Sequence, residues 1–354
     1  MATATATAGS DRLRTVSPIR LFLTRPEVGA VVGAILVLLI FGILSVLRGD
    51  IGRGFLSIAG AASFLEVSAQ VGILGAAVSL LMIAGEFDLS VGSMVGAAGL
   101  LLGLLIVDYG VPPTIAIVIT FAFALAVGAF NGWLRIRTGL PSFIITLGML
   151  LILRGAGIGV TRGLTGNTIV SGLGQFTAND PIAQLFTASI SIAGGSFKIV
   201  LLWWLAAVIV ATWVLTRTRF GNWTFAVGGS DQSARYVGVP VNRVKIVLFM
   251  ATAASAALLA CIQVLTVGSA DVLRGQNKEF EAIITAVVGG TLLTGGYGSA
   301  LGSAFGALIL GVTQLGINFV GINSDWYQVV MGGVLLLAVL ANTYLLRRAS
   351  GARA

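Results

Sequence analysis

The chain has 354 residues, of which 57% are apolar and 10% are charged, whereas an ordinary soluble domain carries about 25% charged residues. This composition excludes a water-soluble globule and indicates a polytopic membrane protein. The chain has no His and a single Cys, Cys261, which excludes histidine acid–base chemistry, a Cys/His metal site and an intrachain disulfide. The net charge of +8 comes from basic residues spread over short connections. That pattern indicates the cytoplasmic-loop bias of membrane proteins rather than binding to nucleic acid.

The elements predicted from the apolar runs begin with residues 1–27, a basic cytoplasmic tail that we expect to be disordered. Residues 28–346 form a single membrane domain that is expected to be all-α, and residues 347–354 form a second cytoplasmic tail. Because a span needs about 20 apolar residues, the runs between charges give ten candidate spans. Two of them share one uncharged stretch, which we divide at Gly295–Gly298. The ten are Val28–Leu47, one within Phe55–Gly85, Leu89–Val107, Val111–Leu134, Ser142–Val160, Ile199–Thr216, one within Ile246–Ala270, two within Ala282–Ser324, and Trp326–Leu346.

The distribution of basic residues orients these spans. With the N-terminus inside, the cytoplasmic segments hold 14 of the 21 basic residues and the outside segments hold six. The positive-inside rule predicts such an excess of basic residues on the cytoplasmic side. Both termini are then cytoplasmic, residues 217–245 form a cytoplasmic loop and residues 161–197 form an extracytoplasmic loop. The turn at Gly295–Gly298 carries no charge that would orient it.

A polar segment between the second and third spans carries the clearest motif. Residues 84–93 read AGEFDLSVGS, and Asp88 and Ser90 are both good N-cap residues for the helix that follows. The string resembles the G-x-D-L-S-V-G-S signature of the membrane subunits of bacterial ABC importers for ribose, xylose, arabinose and related sugars. Glu86 and Phe87 stand where that family more often has Gly-Ile. The signature and cap positions are Gly85, Asp88, Ser90, Gly92 and Ser93.

Three further blocks extend the resemblance over roughly residues 54–345. They are an N-G…P-x-F-I-x-T-L-G…R-G block from Asn131 to Gly155, a central motif at Gly221–Gly238, and a G-G-T…G-G-x-G-S segment from Gly289 to Ser299. The resemblance implies a type II (cobalamin-importer-like) permease fold of ten spans in the bacterial inner membrane, paired with a second permease copy. It also implies cytosolic ATPase subunits and an extracytoplasmic sugar-binding protein as partners. The sequence does not identify the sugar. It also does not distinguish a homodimer from a heterodimer.

The central motif lies in the longest internal cytoplasmic connection. Ser230 can cap a short helix that has Asp231 in its first turn, Arg235 near its end and Gly238 as its stop. The resemblance identifies this helix as the coupling helix, through which movement of the ATPase reaches the permease. A solvated loop helix without a partner is the alternative. The candidate coupling residues are Gly228, Ser230, Asp231, Ala234, Arg235 and Gly238.

Two charged residues, Glu66 and Arg154, fall inside predicted spans, where such residues are costly and need partners. Either could line a transport pathway, a direct pair between them is one interpretation, and Arg154 is close enough to the outer end of its span to reach the interface. The candidates for pathway lining or helix packing are Glu66, Asn131, Phe143, Thr146, Arg154, Gly289, Gly290, Gly295, Gly296 and Gly298.

The chain has no nucleotide-binding loop of its own. A P-loop needs Lys directly after Gly, and the three lysines follow Phe197, Val244 and Asn277. We therefore expect no enzyme activity and no cofactor in this chain, with ATP and Mg²⁺ held by a partner ATPase. An ion-coupled secondary carrier for a small polar solute is the alternative function, although Glu66 is the only in-span carboxylate that could couple an ion.

Overall fold

The computed structural model describes residues 26–49, 54–177 and 180–351, with side chains described as far as residue 340. The predicted tail at residues 1–27 lies almost wholly outside the described residues, and so do residues 352–354. Within the described part, the chain is mostly helical, as the sequence predicts.

Eight helices in the described residues are long and apolar enough to cross a membrane. Three of them end at a glycine in the left-handed conformation, namely Gly139, Gly166 and Gly268, because glycine has no Cβ to clash there. The eight are α1 (Pro26–Leu47), α2 (Ile58–Ile83), α3 (Ser90–Val107), α4 (Pro113–Thr138), α5 (Ser142–Thr165), α8 (Val200–Arg217), α11 (Val241–Val267) and α13 (Ala300–Phe319).

The predicted eighth span is wrong in length. Its region holds α12 (Lys278–Val288), a helix of 11 residues, which extends about 16 Å at 1.5 Å per residue, against a hydrocarbon core of about 30 Å. The uncharged run continues beyond it, but Gly289 and Gly290 end the helix, and Gly290 has a φ of 92°. The predicted tenth span corresponds to α14 (Tyr327–Gly351), which continues through part of the predicted tail at residues 347–354.

Both predicted long loops contain regular structure. Residues 217–245 hold two short helices, and α11 begins at Val241, before the predicted Ile246. Residues 161–197 hold short strands and helices, so the all-α expectation is wrong here. Strand β1 pairs antiparallel with β4, and β2 forms a hairpin with β3. The elements are β1 (Ile169–Ser171), α6 (Gly174–Thr177), α7 (Pro181–Thr187), β2 (Ser189–Ile192), β3 (Gly195–Lys198), α9 (Arg219–Gly229), α10 (Asp231–Tyr236), β4 (Ser269–Asp271) and two 3₁₀ turns, Val272–Gly275 and Ser324–Trp326.

The bundle packs around α3, which is the most completely buried of the long helices. Its glycines let the backbone of neighbouring segments approach closely. A Cβ on Gly96, for example, would lie 2.3 Å from the carbonyl oxygen of Val272 and would clash with it. We call the end of the bundle that carries α10 the α10 end, and the end that carries β2 and β3 the hairpin end. Helix α2 runs from the hairpin end to the α10 end, where the backbone N–H of Gly296 donates to the Ile83 carbonyl at 2.8 Å.

Candidate functional site

The signature residues lie in the connection between α2 and α3, at Ala84–Leu89, and in the first turn of α3. The Asp88 side chain is 1% exposed, and its Oδ1 accepts hydrogen bonds from the Ser90 backbone N–H (2.9 Å) and hydroxyl (2.6 Å). Asp88 thus satisfies the first free amide of α3 from the position before the N-cap residue, Leu89. Ser90 is the first residue of the helix rather than its cap.

Two other helices complete a buried polar cluster around this carboxylate. The Thr252 hydroxyl of α11 donates to Asp88 Oδ2 at 2.6 Å, and the Asn131 amide of α4 donates to Ser90 Oγ at 3.1 Å. All four side chains are at most 2% exposed. Asn131 was among the sequence candidates, whereas Thr252 was missed because nothing distinguishes one hydroxyl residue in an apolar run.

The first turn of α5 holds the same connection in place. The Ser142 and Thr146 hydroxyl oxygens accept the backbone N–H groups of Phe87 and Leu89, each at 3.0 Å. Irregular backbone inside a membrane bundle requires such partners, because no water is available to it. Phe143, from the same block, is 49% exposed.

A cluster of charged residues at the α10 end surrounds Glu86, whose side chain is 2% exposed. The Arg135 Nε lies 3.1 Å from both carboxylate oxygens, and the Lys245 Nζ lies 2.7 Å from Oε1. Lys245 also pairs with Asp231, in the first turn of α10. A continuous chain of ion pairs therefore joins the signature connection to α10. We had not predicted this role for Glu86; its only signal was a carboxylate next to a membrane span.

Helix α10 has the predicted caps. Ser230 Oγ accepts the Ser233 N–H at 3.2 Å, and Gly238 has a φ of 82°. The Arg235 Nη2 donates to Asn242 Oδ1 at 2.7 Å, and Ala234 is buried. Tyr236 and Val237 are 80% and 78% exposed. The helix is therefore fixed at both ends, and it presents two large, uncovered side chains.

Glycines allow three backbone segments to pack closely at the α10 end: the end of α2, the end of α9 and the turn at Gly295–Gly298. A Cβ on Gly228 would lie 1.7 Å from the Ile83 carbonyl oxygen, and one on Gly295 would lie 2.8 Å from Gly85 Cα. Gly295 and Gly296 have φ values of 81° and 76°. The turn at Gly295–Gly298, which no charge orients, thus lies at the same end as α10.

The remaining sequence candidates are buried between neighbouring segments of the bundle. Gly289 packs against the first turns of α13, where a Cβ would lie 2.5 Å from the Ser303 backbone nitrogen, and a Cβ on Gly298 would lie 2.6 Å from Thr291 Oγ1. Gly92 packs against Glu279 Oε2. The Ser93 hydroxyl is buried with no hydrogen-bond partner among the described residues.

The interpretation that Glu66 pairs with Arg154 is wrong. Glu66 Oε1 lies 2.7 Å from the Lys198 Nζ, at the hairpin end. Arg154 instead acts electrostatically on Glu279 of α12. The correct partner was not foreseen because Lys198 lies at the end of β3, a strand that was not predicted, next to the predicted loop at residues 161–197.

Comparison with known proteins defines the class of protein to which this bundle belongs. Residues 60–339 match the family described as branched-chain amino acid transport system / permease component. The chain belongs to this family of transport permeases.

Its relatives include several import permeases. The chain is 33% identical over 81% of its length to an inner membrane ABC transporter permease protein of Escherichia coli, covering 84% of that protein. It is 30% identical over 88% of its length to a fructose import permease protein of Rhizobium meliloti, covering 83% of it. It is 31% identical over 85% of its length to the ribose import permease protein of Escherichia coli, covering 90% of it. No solved structure matches the chain.

Proposed function

We propose that the chain is the membrane-spanning permease subunit of an ABC importer that carries a monosaccharide or related polyol across the bacterial inner membrane. The observation that carries this proposal is the family match over residues 60–339, together with relatives whose names specify fructose and ribose import. Transport proceeds by alternating access, and separate ATPase subunits supply the energy.

Helix α10 is the docking element for the ATPase in this proposal. Its exposed Tyr236 and Val237 contact the ATPase, and movement passes through Asp231 and Lys245 to Glu86. Because Glu86 lies within the connection that precedes α3, displacement of α10 shifts the central helix of the bundle. The buried Asp88 cluster keeps that connection rigid, so that the shift reaches α4, α5 and α11.

The assembly that we propose is a type II importer with two permease copies and an extracytoplasmic sugar-binding protein. The eight long helices, α12 and α14 make up its ten membrane segments. Helix α5 supports the second copy, since Gly155, Gly159 and Gly163 share one face and have open space around them, and small residues let two membrane helices approach closely. The α10 end and both termini face the cytoplasm, and the hairpin end faces the binding protein.

The alternative function, an ion-coupled secondary carrier, depended on a free carboxylate within a span. The carboxylate on which it depended, Glu66, already has Lys198 as its counter-ion, so it does not offer a free in-span charge for a coupling ion.

Reconstitution tests the proposed division of labour. We expect the purified chain alone to hydrolyse no ATP above background, because none of its lysines follows a glycine. We expect proteoliposomes to take up a labelled sugar only when ATPase subunits, binding protein and ATP are all present. ATP hydrolysis by the rigorously pure chain, or sugar uptake driven by an ion gradient without ATP, would contradict the proposal.

A further inference from the structure

Three cavities in the described part of the chain differ in their chemistry. A cavity of about 480 Å³ between α2, α8 and α11 is lined almost wholly by apolar side chains. A cavity of about 260 Å³ at the hairpin end also has two unpaired buried atoms, Gln263 Oε1 and Arg274 Nε. Its volume is below the range of ~300–1,000 Å³ that is typical of small-molecule sites, and charged groups line it, including Glu66, which pairs with Lys198 at 2.7 Å. The third, of about 520 Å³, lies between α12, α13 and α14, and its volume falls in the range of ~300–1,000 Å³ that is typical of small-molecule sites.

The third cavity, which we call the α12 pocket, carries hydrogen-bonding groups that the protein leaves unused. Two buried atoms at its wall, Gln314 Oε1 and Tyr327 Oη, have no partner in the described part of the chain. Buried polar atoms are almost always paired in folded proteins, so two unpaired atoms at one cavity indicate a ligand that supplies both a donor and an acceptor. The polar and aromatic lining residues are Gln276, Asn277, Phe280, Gln314, Tyr327 and Gln328.

The ionic groups beside the pocket cancel each other. The Lys278 Nζ lies 2.6 Å from Glu281 Oε2, and their side chains are only 15% and 13% exposed. An ionised solute, or an amino acid with both its charges, would need free counter-charges, whereas a neutral solute needs only the amide and hydroxyl groups. Phe280 is 53% exposed and adds an apolar face next to these groups, the combination that small-molecule sites use.

The short length of α12 explains how polar residues come to line a membrane bundle. The helix begins inside the bundle, since Glu279 in its first turn packs against Gly92 of α3. The preceding Asn277 has a φ of 66°, a left-handed turn that asparagine tolerates better than most residues. Gln276 and Asn277 therefore lie at a depth where a full-length helix would place apolar side chains.

We propose that the α12 pocket binds a neutral, polyhydroxylated solute, a monosaccharide or polyol in passage through the protein. The inference rests on the proposed function and assigns the transported solute a binding site in this chain. The amide groups and the Tyr327 hydroxyl bind the solute hydroxyls, and Phe280 contacts its C–H face.

The test uses the complete transporter in proteoliposomes, with labelled D-ribose, D-xylose, D-fructose and L-leucine as probes. At saturating binding protein, Gln314→Leu and Tyr327→Phe should each lower sugar uptake about 3- to 10-fold, the effect of one lost hydrogen bond. The matched controls are Thr216→Val and Trp213→Phe, at exposed positions on α8, and they should transport at the wild-type rate.

Thiol labelling keeps the proposal testable even if these variants fold poorly. The native Cys261 is 0% exposed, so Gln328→Cys places a single accessible thiol in an otherwise unchanged pocket. A methanethiosulfonate reagent should block uptake by this variant, and the transported sugar should slow the labelling. If the wild type takes up sugar, both pocket variants take it up at the same rate, and sugar does not slow the labelling, then the proposed pocket is wrong while the proposed function stands. If the complex takes up leucine and none of the three sugars, the proposed function is wrong as well.

Discussion

Replacing Glu86 by alanine should destabilise the folded protein by about 1.5–3 kcal/mol, because Lys245 loses one of its two carboxylate partners and keeps only Asp231. Lys245 is only 4% exposed, and the change removes its contact with Glu86 at 2.7 Å. Arg135 loses the same carboxylate. The measurement is the thermal unfolding midpoint of the purified protein in detergent.

Two further variants separate this effect from a general loss of charge. Asp108→Asn removes an exposed carboxylate between α3 and α4 and should leave the midpoint unchanged. Glu86→Leu combined with Lys245→Met removes both buried charges and should recover most of the lost stability, because an apolar pair often substitutes for a buried ion pair. Wild-type stability of Glu86→Ala would show that the ion-pair chain does not hold this end of the bundle together.

The second large effect is expected at Gly228. An alanine Cβ there would lie 1.7 Å from the Ile83 carbonyl oxygen and 2.5 Å from the Gly296 nitrogen, and backbone on both sides cannot yield cheaply. Overpacking of this kind costs about 1–3 kcal/mol or more. We expect Gly228→Ala to lower both the unfolding midpoint and the amount of protein in the membrane.

The adjacent residue gives a matched control for this change. A Cβ on Gly229 would meet nothing within 4 Å, so Gly229→Ala should shift stability by no more than about 0.5 kcal/mol. Equal effects of the two substitutions would mean that α9 does not pack closely against the end of α2.

The sequence predicted those parts of the fold that local composition determines. Long apolar runs located the eight full-length helices, and the cap residues Ser230 and Gly238 located α10. Helix α12 was predicted too long because an uncharged run does not show where glycines will end a helix. The strands β1 and β4 were missed because each has three residues and finds its partner about 100 positions away.

The candidate site was predictable to a similar extent. The signature motif directed attention to Asp88 and Ser90, and the positions of Asn131 and Thr146 in the matching block indicated their importance. The partners of Glu86 and of Glu66 were not foreseen, because each pair forms between elements far apart in the chain. Lys245 was assigned to a loop, yet the helix that contains it turns the ammonium group toward Glu86.

Coupling through α10 is tested most directly by removing its two uncovered side chains. Tyr236→Ala combined with Val237→Ala deletes groups that are 80% and 78% exposed, so the fold should persist. In proteoliposomes with ATPase subunits and binding protein, we expect this variant to lose sugar uptake and substrate-stimulated ATP hydrolysis at a normal protein level. Leu205→Ala, an exposed change on α8, should retain both activities. Wild-type uptake and hydrolysis in the α10 variant would contradict coupling through this helix.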